Sequence, residues 1–231
     1  EWGFDSGSSG YEVDISADGE GVVVGSDNGI VYLFNKDSSA PRWNYTTGYD
    51  VKSVAISSNG KYIAAGSGNE VYLFSTKKDT PLWNYSTGYN SIISVDISSD
   101  GRYIAAGSSG SESGNIYLFD RDSSTPLWNH TVGDAVSSVI ISDNGDYIAS
   151  GSNDGKIYLF DKDSSTPLWI YDEELTVFSL HISISADGEN MVAGMRGSSN
   201  CSFYVFNKNS NVTLWNYTAS NSISPCPVVI S

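Results

Sequence analysis

The sequence predicts an all-β protein assembled from five copies of one four-stranded unit. Two markers set the period. Trp falls at Trp2, Trp43, Trp83, Trp128, Trp169 and Trp215, in steps of 41, 40, 45, 41 and 46 residues. Between them falls an Asp-Gly or Asn-Gly pair, at Asp18-Gly19, Asn59-Gly60, Asp100-Gly101, Asn144-Gly145 and Asp187-Gly188. No helix is apparent, and the period lies within or near the ~40–45 residues of a four-stranded repeat.

Residues Ser53 to Ser86 show the unit whole. Val54-Ala55-Ile56 reads as its first strand. Asn59-Gly60 follows, a pair suited to the positive φ of a tight hairpin turn. Tyr62-Ile63-Ala64-Ala65-Gly66 reads as the second strand, and its small residues let neighbouring backbones come close near a crowded axis. A second turn follows, Asp27-Asn28-Gly29 in the first unit and Asn153-Asp154-Gly155 in the fourth. The third strand, Val71-Tyr72-Leu73-Phe74, is apolar on both faces and needs cover on both. A polar loop holding Pro41, Pro81, Pro126 or Pro167 leads to a fourth strand, which carries the Trp. Sheets covered on both faces suit blades stacked around an axis, so the expected architecture is a β-propeller, first strand inside and fourth at the rim. A flat β-solenoid competes, but its rungs are usually shorter than four strands.

Ser94 to Ser108, SVDISSDGRYIAAGS, resembles the first half of a WD40 or YVTN-type surface propeller repeat. Asp154 to Trp169, DGKIYLFDKDSSTPLW, resembles the quinoprotein-like repeat. Together the two patterns cover nearly the whole chain. The resemblance implies a non-enzymatic surface propeller of the kind found in archaea and bacteria. No Gly-His pair opens a repeat and no Trp-Asp closes a third strand, so the hydrogen-bonded tetrad of WD40 blades is not implied. Quinoprotein dehydrogenases carry adjacent cysteines beside their cofactor. Cys201 and Cys226 are not adjacent, and no bound cofactor is expected.

One domain over residues 1–231 is expected, with units near 11–47, 51–87, 92–131, 136–171 and 178–218. The ends overrun this count. Trp2 precedes Ile15 by 13 residues, as Trp43 precedes Ile56, which aligns Glu1 to Phe4 with a fourth strand. Pro227 to Ser231 aligns with a first strand. Extra strands are thus expected at 1–5 and 226–231: pieces of a larger propeller, closures of the ring, or edges that pair with a neighbouring molecule. The start at Glu1, with neither Met nor an apolar leader, reads as a processed chain or a fragment.

Charge narrows the partners. Lys and Arg number 12 against 27 Asp and Glu, a net charge of −15. Nucleic acid requires a basic footprint, and anionic membrane surfaces repel such a chain. No apolar run approaches the ~18 residues of a spanning helix.

Asn-x-Ser/Thr sequons follow the Trp at Asn44, Asn84, Asn129 and Asn216, and two more fall at Asn200 and Asn211. Ile170 breaks the pattern in the fourth unit. N-linked glycans on an outer rim are expected, in an extracellular or cell-surface protein. They would also block pairing by the outermost strands. Cys201 and Cys226 pair in an oxidising compartment or are small core residues in a cytosol. Asp172-Glu173-Glu174 offers oxygen ligands for a hard cation, although no spaced Asp-x-Asp-x-Asp-Gly loop is present and a solvated acidic loop is the plainer reading. Asp14 and Asp96 share one place in the first strand, facing a central channel or hydrogen-bonded locally.

No catalytic set emerges. His130 stands where other units have Tyr45, Tyr85 and Tyr217. His181 starts a first strand with no established acid partner; with Asp172–Glu174 it is the only weak enzymatic candidate. No Gly-x-Ser-x-Gly elbow and no phosphate-cradling loop is present. The periodic aromatics point to packing between blades, with sugar stacking second. The expected role is structural or adhesive, with copies of the chain or another protein joined through the end strands. A glycan- or metal-binding module is the alternative, its irregular loops at 108–115, 172–176 and 195–200.

Overall fold

A computed structural model describes residues 3–173, 179–198, 200–220 and 226–230. Their twenty strands form five four-stranded antiparallel sheets, each in chain order. Blade 1 holds β1 (Gly10–Ile15), β2 (Gly21–Ser26), β3 (Ile30–Asn35) and β4 (Trp43–Thr46). Blade 2 holds β5 (Val51–Ile56), β6 (Tyr62–Ser67), β7 (Glu70–Ser75) and β8 (Pro81–Ser86). Blade 3 holds β9 (Ser91–Ile97), β10 (Tyr103–Ser109), β11 (Gly114–Asp120) and β12 (Trp128–Val132). Blade 4 holds β13 (Val136–Ile141), β14 (Tyr147–Ser152), β15 (Lys156–Asp161) and β16 (Trp169–Asp172). Blade 5 holds β17 (Ser179–Ile184), β18 (Asn190–Arg196), β19 (Asn200–Asn207) and β20 (Trp215–Ser220).

The turn between the first two strands repeats in every blade. Gly19, Gly60, Gly101, Gly145 and Gly188 take φ of 65 to 75°, the left-handed region that favours glycine. The Asx before each glycine has another task. Its side chain accepts a bond from the Ser two residues earlier, as in Ser16 to Asp18 at 2.6 Å and Ser57 to Asn59 at 2.8 Å. It also accepts the backbone N–H two residues later, as from Glu20 and Lys61, each at 3.0 Å. The positive φ thus falls on the glycine, and the Asx locks the turn from outside.

Packing runs between blades. Among the described residues, four buried apolar clusters each draw on two consecutive blades: 1 with 2, 2 with 3, 3 with 4, and 4 with 5. Phe74, Phe119, Phe160 and Phe206 of the third strands are fully buried within them. An aromatic of the preceding fourth strand meets each phenylalanine edge-on: Tyr45 on Phe74, Tyr85 on Phe119 and His130 on Phe160, all at 5.2 Å, and Tyr171 on Phe206 at 5.0 Å. Edge-to-face contacts of this kind favour aromatic pairs beyond the area they bury.

The small residues of the second strand set how closely blades approach. A Cβ on Gly66 would lie 2.4 Å from Ile92, one on Gly107 2.3 Å from Val136, and one on Gly151 2.0 Å from Leu180. In each case the side chain belongs to the next blade's first strand or leads into it, and it fills the space a methyl group would need.

The ends differ from the sequence expectation. Residues 3–5 and 226–230 join no sheet, so they are not strands. Among the described residues no strand lies beside them to share a ladder. They nevertheless sit where a neighbouring blade's strands would sit. Phe4 meets Phe34 edge-on at 5.0 Å, as Tyr45 meets Phe74. Ile230 donates its N–H to the Ser183 hydroxyl at 3.2 Å, alongside β17. Trp2, the anchor of the sequence alignment at this end, and Ser231 lie outside the described residues.

Candidate functional site

The first strands are linked to one another by side chains. Asp14 of β1 accepts the N–H of Ile56 in blade 2 at 2.7 Å, and Asp96 of β9 accepts that of Ile141 in blade 4 at 2.8 Å. The other oxygen of each carboxylate accepts the N–H of the following residue, Ile15 at 2.8 Å and Ile97 at 2.9 Å. Two places earlier in the strand, Glu12 accepts from Val54 at 3.0 Å, Ser53 from Val95 at 2.9 Å and Ser94 from Val139 at 3.1 Å. Asp14 and Asp96 are therefore bonded both locally and to the next blade, where each satisfies a backbone donor on the outer side of an edge strand.

Burial drives the Asp14 carboxyl up from its ordinary range, against the pull of its two N–H partners. Asp96 is pushed up to about 7, by burial first, with the charges of Asp14 and Glu12 adding to it. The sequence pointed to Asp14 and Asp96 but missed Glu12, Ser53, Ser94 and Ser183. The available signal was the repeat itself: Ser183 stands at the place of Asp14 and Asp96 in its own unit, and Glu12, Ser53 and Ser94 all stand two residues before that place.

At the outer edge, the fourth-strand Trp of blades 1 to 4 reaches across to the next blade. The indole N–H donates to the carbonyl of Thr76 from Trp43, of Arg121 from Trp83, of Lys162 from Trp128 and of Lys208 from Trp169, at 2.7 to 3.1 Å. Each acceptor lies two residues past the buried phenylalanine. A short repeated contact thus fixes the outer side of every internal interface.

The sequon asparagines divide by exposure. Asn44, Asn84, Asn129, Asn211 and Asn216 are exposed, and Asn200 is half-buried. Asn84 donates to Glu70 at 3.3 Å and Asn211 to the carbonyl of Ile170 at 2.9 Å. Four of the six lie on β4, β8, β12 and β20, the outermost strands of their sheets.

Cys201 of β19 and Cys226 are disulfide-bonded, with Cα atoms 6.1 Å apart. The bond ties the C-terminal segment to blade 5. A Cβ on Gly194 would lie 2.1 Å from the carbonyl of Cys226, so the segment rests directly on β18.

Two residues of the acidic run have partners of their own. Asp172 pairs with Lys156 at 3.2 Å, and Glu173 accepts the Tyr171 hydroxyl. Glu174 lies outside the described residues. Among those residues, no group of three His, Cys, Asp or Glu side chains is placed to hold a metal. His130 packs on Tyr158 and Phe160 as its tyrosine counterparts do on theirs. Burial lowers the pKa of His181.

A family model described as outer membrane protein assembly factor BamB, built on a quinoprotein-like repeat, matches residues 2–132, which is 131 of the 231 residues. The chain belongs to this family. A second model, the WD domain G-beta repeat, matches residues 124–161. The chain is also similar to a chain of the solved structure titled "Crystal Structure of Mitotic Checkpoint Complex". The two share 17% identity and a TM-score of 0.79, over 98% of this chain and 70% of that one. At that identity the likeness shows the propeller fold alone. No curated protein matches. No helix among the described residues is long and apolar enough to cross a membrane.

Proposed function

We propose that this chain is a non-catalytic β-propeller scaffold of the cell exterior, glycosylated at its rim and working through contacts with other proteins. The observation that carries the reading is the rim itself. Asn44, Asn84, Asn129 and Asn216 each follow the Trp of an outermost strand, and all four are exposed. A glycan on such a strand shields an edge that would otherwise pair with another sheet. The disulfide fits the same oxidising surroundings. The polar groups of the first strands are engaged in holding blades together, which favours a structural use for them over a chemical one.

Peptide mass mapping of the protein recovered from a glycosylating host tests this. Modified peptides containing Asn44, Asn84, Asn129 or Asn216 are expected. Unmodified asparagine at all six sequons would sink the proposal.

A further inference from the structure

The interface between blades 1 and 2 lacks a ring that the next three interfaces share. The second strands of blades 2, 3 and 4 open on Tyr62, Tyr103 and Tyr147. Each tyrosine lies against the turn glycine of the following blade. A Cβ on Gly101 would fall 2.4 Å from Tyr62, one on Gly145 2.7 Å from Tyr103, and one on Gly188 2.4 Å from Tyr147. Each ring also meets a cation. Arg121 of blade 3 stands 4.7 Å from the centre of Tyr62, and Lys208 of blade 5 stands 4.9 Å from that of Tyr147. Arg102 stands 5.1 Å from Tyr103 within its own blade.

In blade 1 the tyrosine is replaced by glycine. Gly21 pairs with Asn35 across the sheet as Tyr62 pairs with Ser75, Tyr103 with Asp120 and Tyr147 with Asp161. The residue facing it from the next blade is small as well. Thr76 stands where Arg121, Lys162 and Lys208 stand, two residues past the buried phenylalanine. Thr76 is buried, and its hydroxyl turns away to the carbonyl of Gly60 at 2.9 Å. A Cβ on Gly60 would meet no ring, its nearest neighbour being Ser16 at 3.5 Å.

These two exchanges leave a cavity of about 200 Å³ between the blades, lined among others by Gly21, Leu33, Asn35, Arg42, Gly60 and Thr76. About 150 Å³ is enough to hold a benzene ring. Arg42 is a third departure from the repeat. Leu127, Leu168 and Leu214 stand at its place, and each donates its N–H to the third strand as Arg42 does to Leu33. Among the described residues the Arg42 side chain enters no ion pair. Blade 1 has thus lost the ring and gained a cation beside the gap, and a guanidinium is attracted to an aromatic face.

We propose that this cavity binds a neutral phenol ring from outside the chain, seated on the Gly60 turn with the Arg42 guanidinium over its face. Asp18 and Glu20 also line the cavity. Their carboxylates accept the phenol hydroxyl and repel an aromatic acid. The ring belongs to a free phenolic molecule or to a tyrosine side chain of another polypeptide, which share the chemistry this site reads. The inference goes beyond the scaffold reading and makes no use of glycosylation or location.

Titration of the full chain with para-cresol tests it, read through backbone amide shifts in the nuclear magnetic resonance spectrum. Saturable shifts at Gly21 and Gly60 are expected, and para-methylcyclohexanol, of similar size but without an aromatic face, should not produce them. A capped Gly-Tyr-Gly tripeptide separates the sources: its binding assigns a polypeptide tyrosine, and binding of para-cresol alone assigns a free phenol. Gly21→Tyr supplies the missing ring from within and should abolish the shift at Gly60. Arg42→Leu should weaken binding about two- to five-fold. The proposal is overturned if neither probe gives saturable shifts at these amides, or if para-methylcyclohexanol binds as well as para-cresol. It is equally overturned if a folded Gly21→Tyr protein still binds para-cresol. Should that variant fail to fold, unchanged affinity in Arg42→Leu overturns it instead.

Discussion

The indole N–H of Trp83 donates to the backbone carbonyl of Arg121, 2.7 Å away in the next blade. Replacing Trp83 by Phe removes the donor and leaves a half-buried carbonyl unpaired. A loss of about 1–3 kcal/mol is expected from the bond and the smaller ring. Thermal melting should show it as a drop of about 2–4 °C per kcal/mol for a chain of this size. Trp215→Phe, whose indole meets no carbonyl of another blade among the described residues, should shift the melt far less.

Gly151 gives a sharper test of the close approach between blades. A methyl group there would meet Leu180 at 2.0 Å, whereas one on Gly10 would find its nearest neighbour at 3.9 Å. Gly151→Ala should cost about 1–3 kcal/mol by overpacking, measured by urea unfolding. Gly10→Ala should be close to neutral.

Asp96 makes stability depend on pH in a particular direction. Its carboxyl titrates near 7 in the folded protein and near 4 when unfolded, so between those values the folded state holds the extra proton. The stabilisation is complete below about pH 4 and is lost as pH rises through about 7. Asp96 therefore contributes a fall in melting temperature with rising pH across this window, in the same direction as Glu12 and Asp14, which burial also raises, and against Asp18 and Asp187, which their hydrogen bonds lower. Asp96→Asn should flatten that part of the profile, and an unchanged profile would contradict the assignment.

Cys226→Ser should release the C-terminal segment from blade 5. The bridge spans 25 residues, and loop closure of that length is worth about 3 kcal/mol in the chain-entropy view. Hydrogen exchange should quicken first at β18, where Gly194 lies under Cys226. Unchanged exchange there would show that Val228 and Ile230 hold the segment without the bond.

The unit was legible because it is written in local chemistry. Gly60 and Asn59 mark a turn, Val71 to Phe74 mark a strand that needs cover on both faces, and Trp83 marks the rim; each acts within a few residues of its neighbours. The contacts between blades were harder to read. Ile56 lies 42 residues from Asp14, and Ile141 lies 45 from Asp96. These pairs meet only after two sheets have stacked, so a lone Asp in an apolar strand reads equally as a channel ligand or a local bond. The acidic run at Asp172 shows the opposite limit. Its residues are adjacent in sequence, yet Lys156 and Tyr171 draw two of them into contacts of their own.

Four clusters for five blades carry a consequence for how the molecule comes apart. Each blade leans only on those before and after it, so its stability follows the arithmetic of a linear array. Among the described residues, blades 1 and 5 each share a buried cluster with one other blade, and blades 2, 3 and 4 each with two. Unfolding should therefore begin at both ends and travel inward, with blade 3 last to exchange its amide hydrogens. Joining the ends into a circle would remove that order, because every blade would then stand between two others.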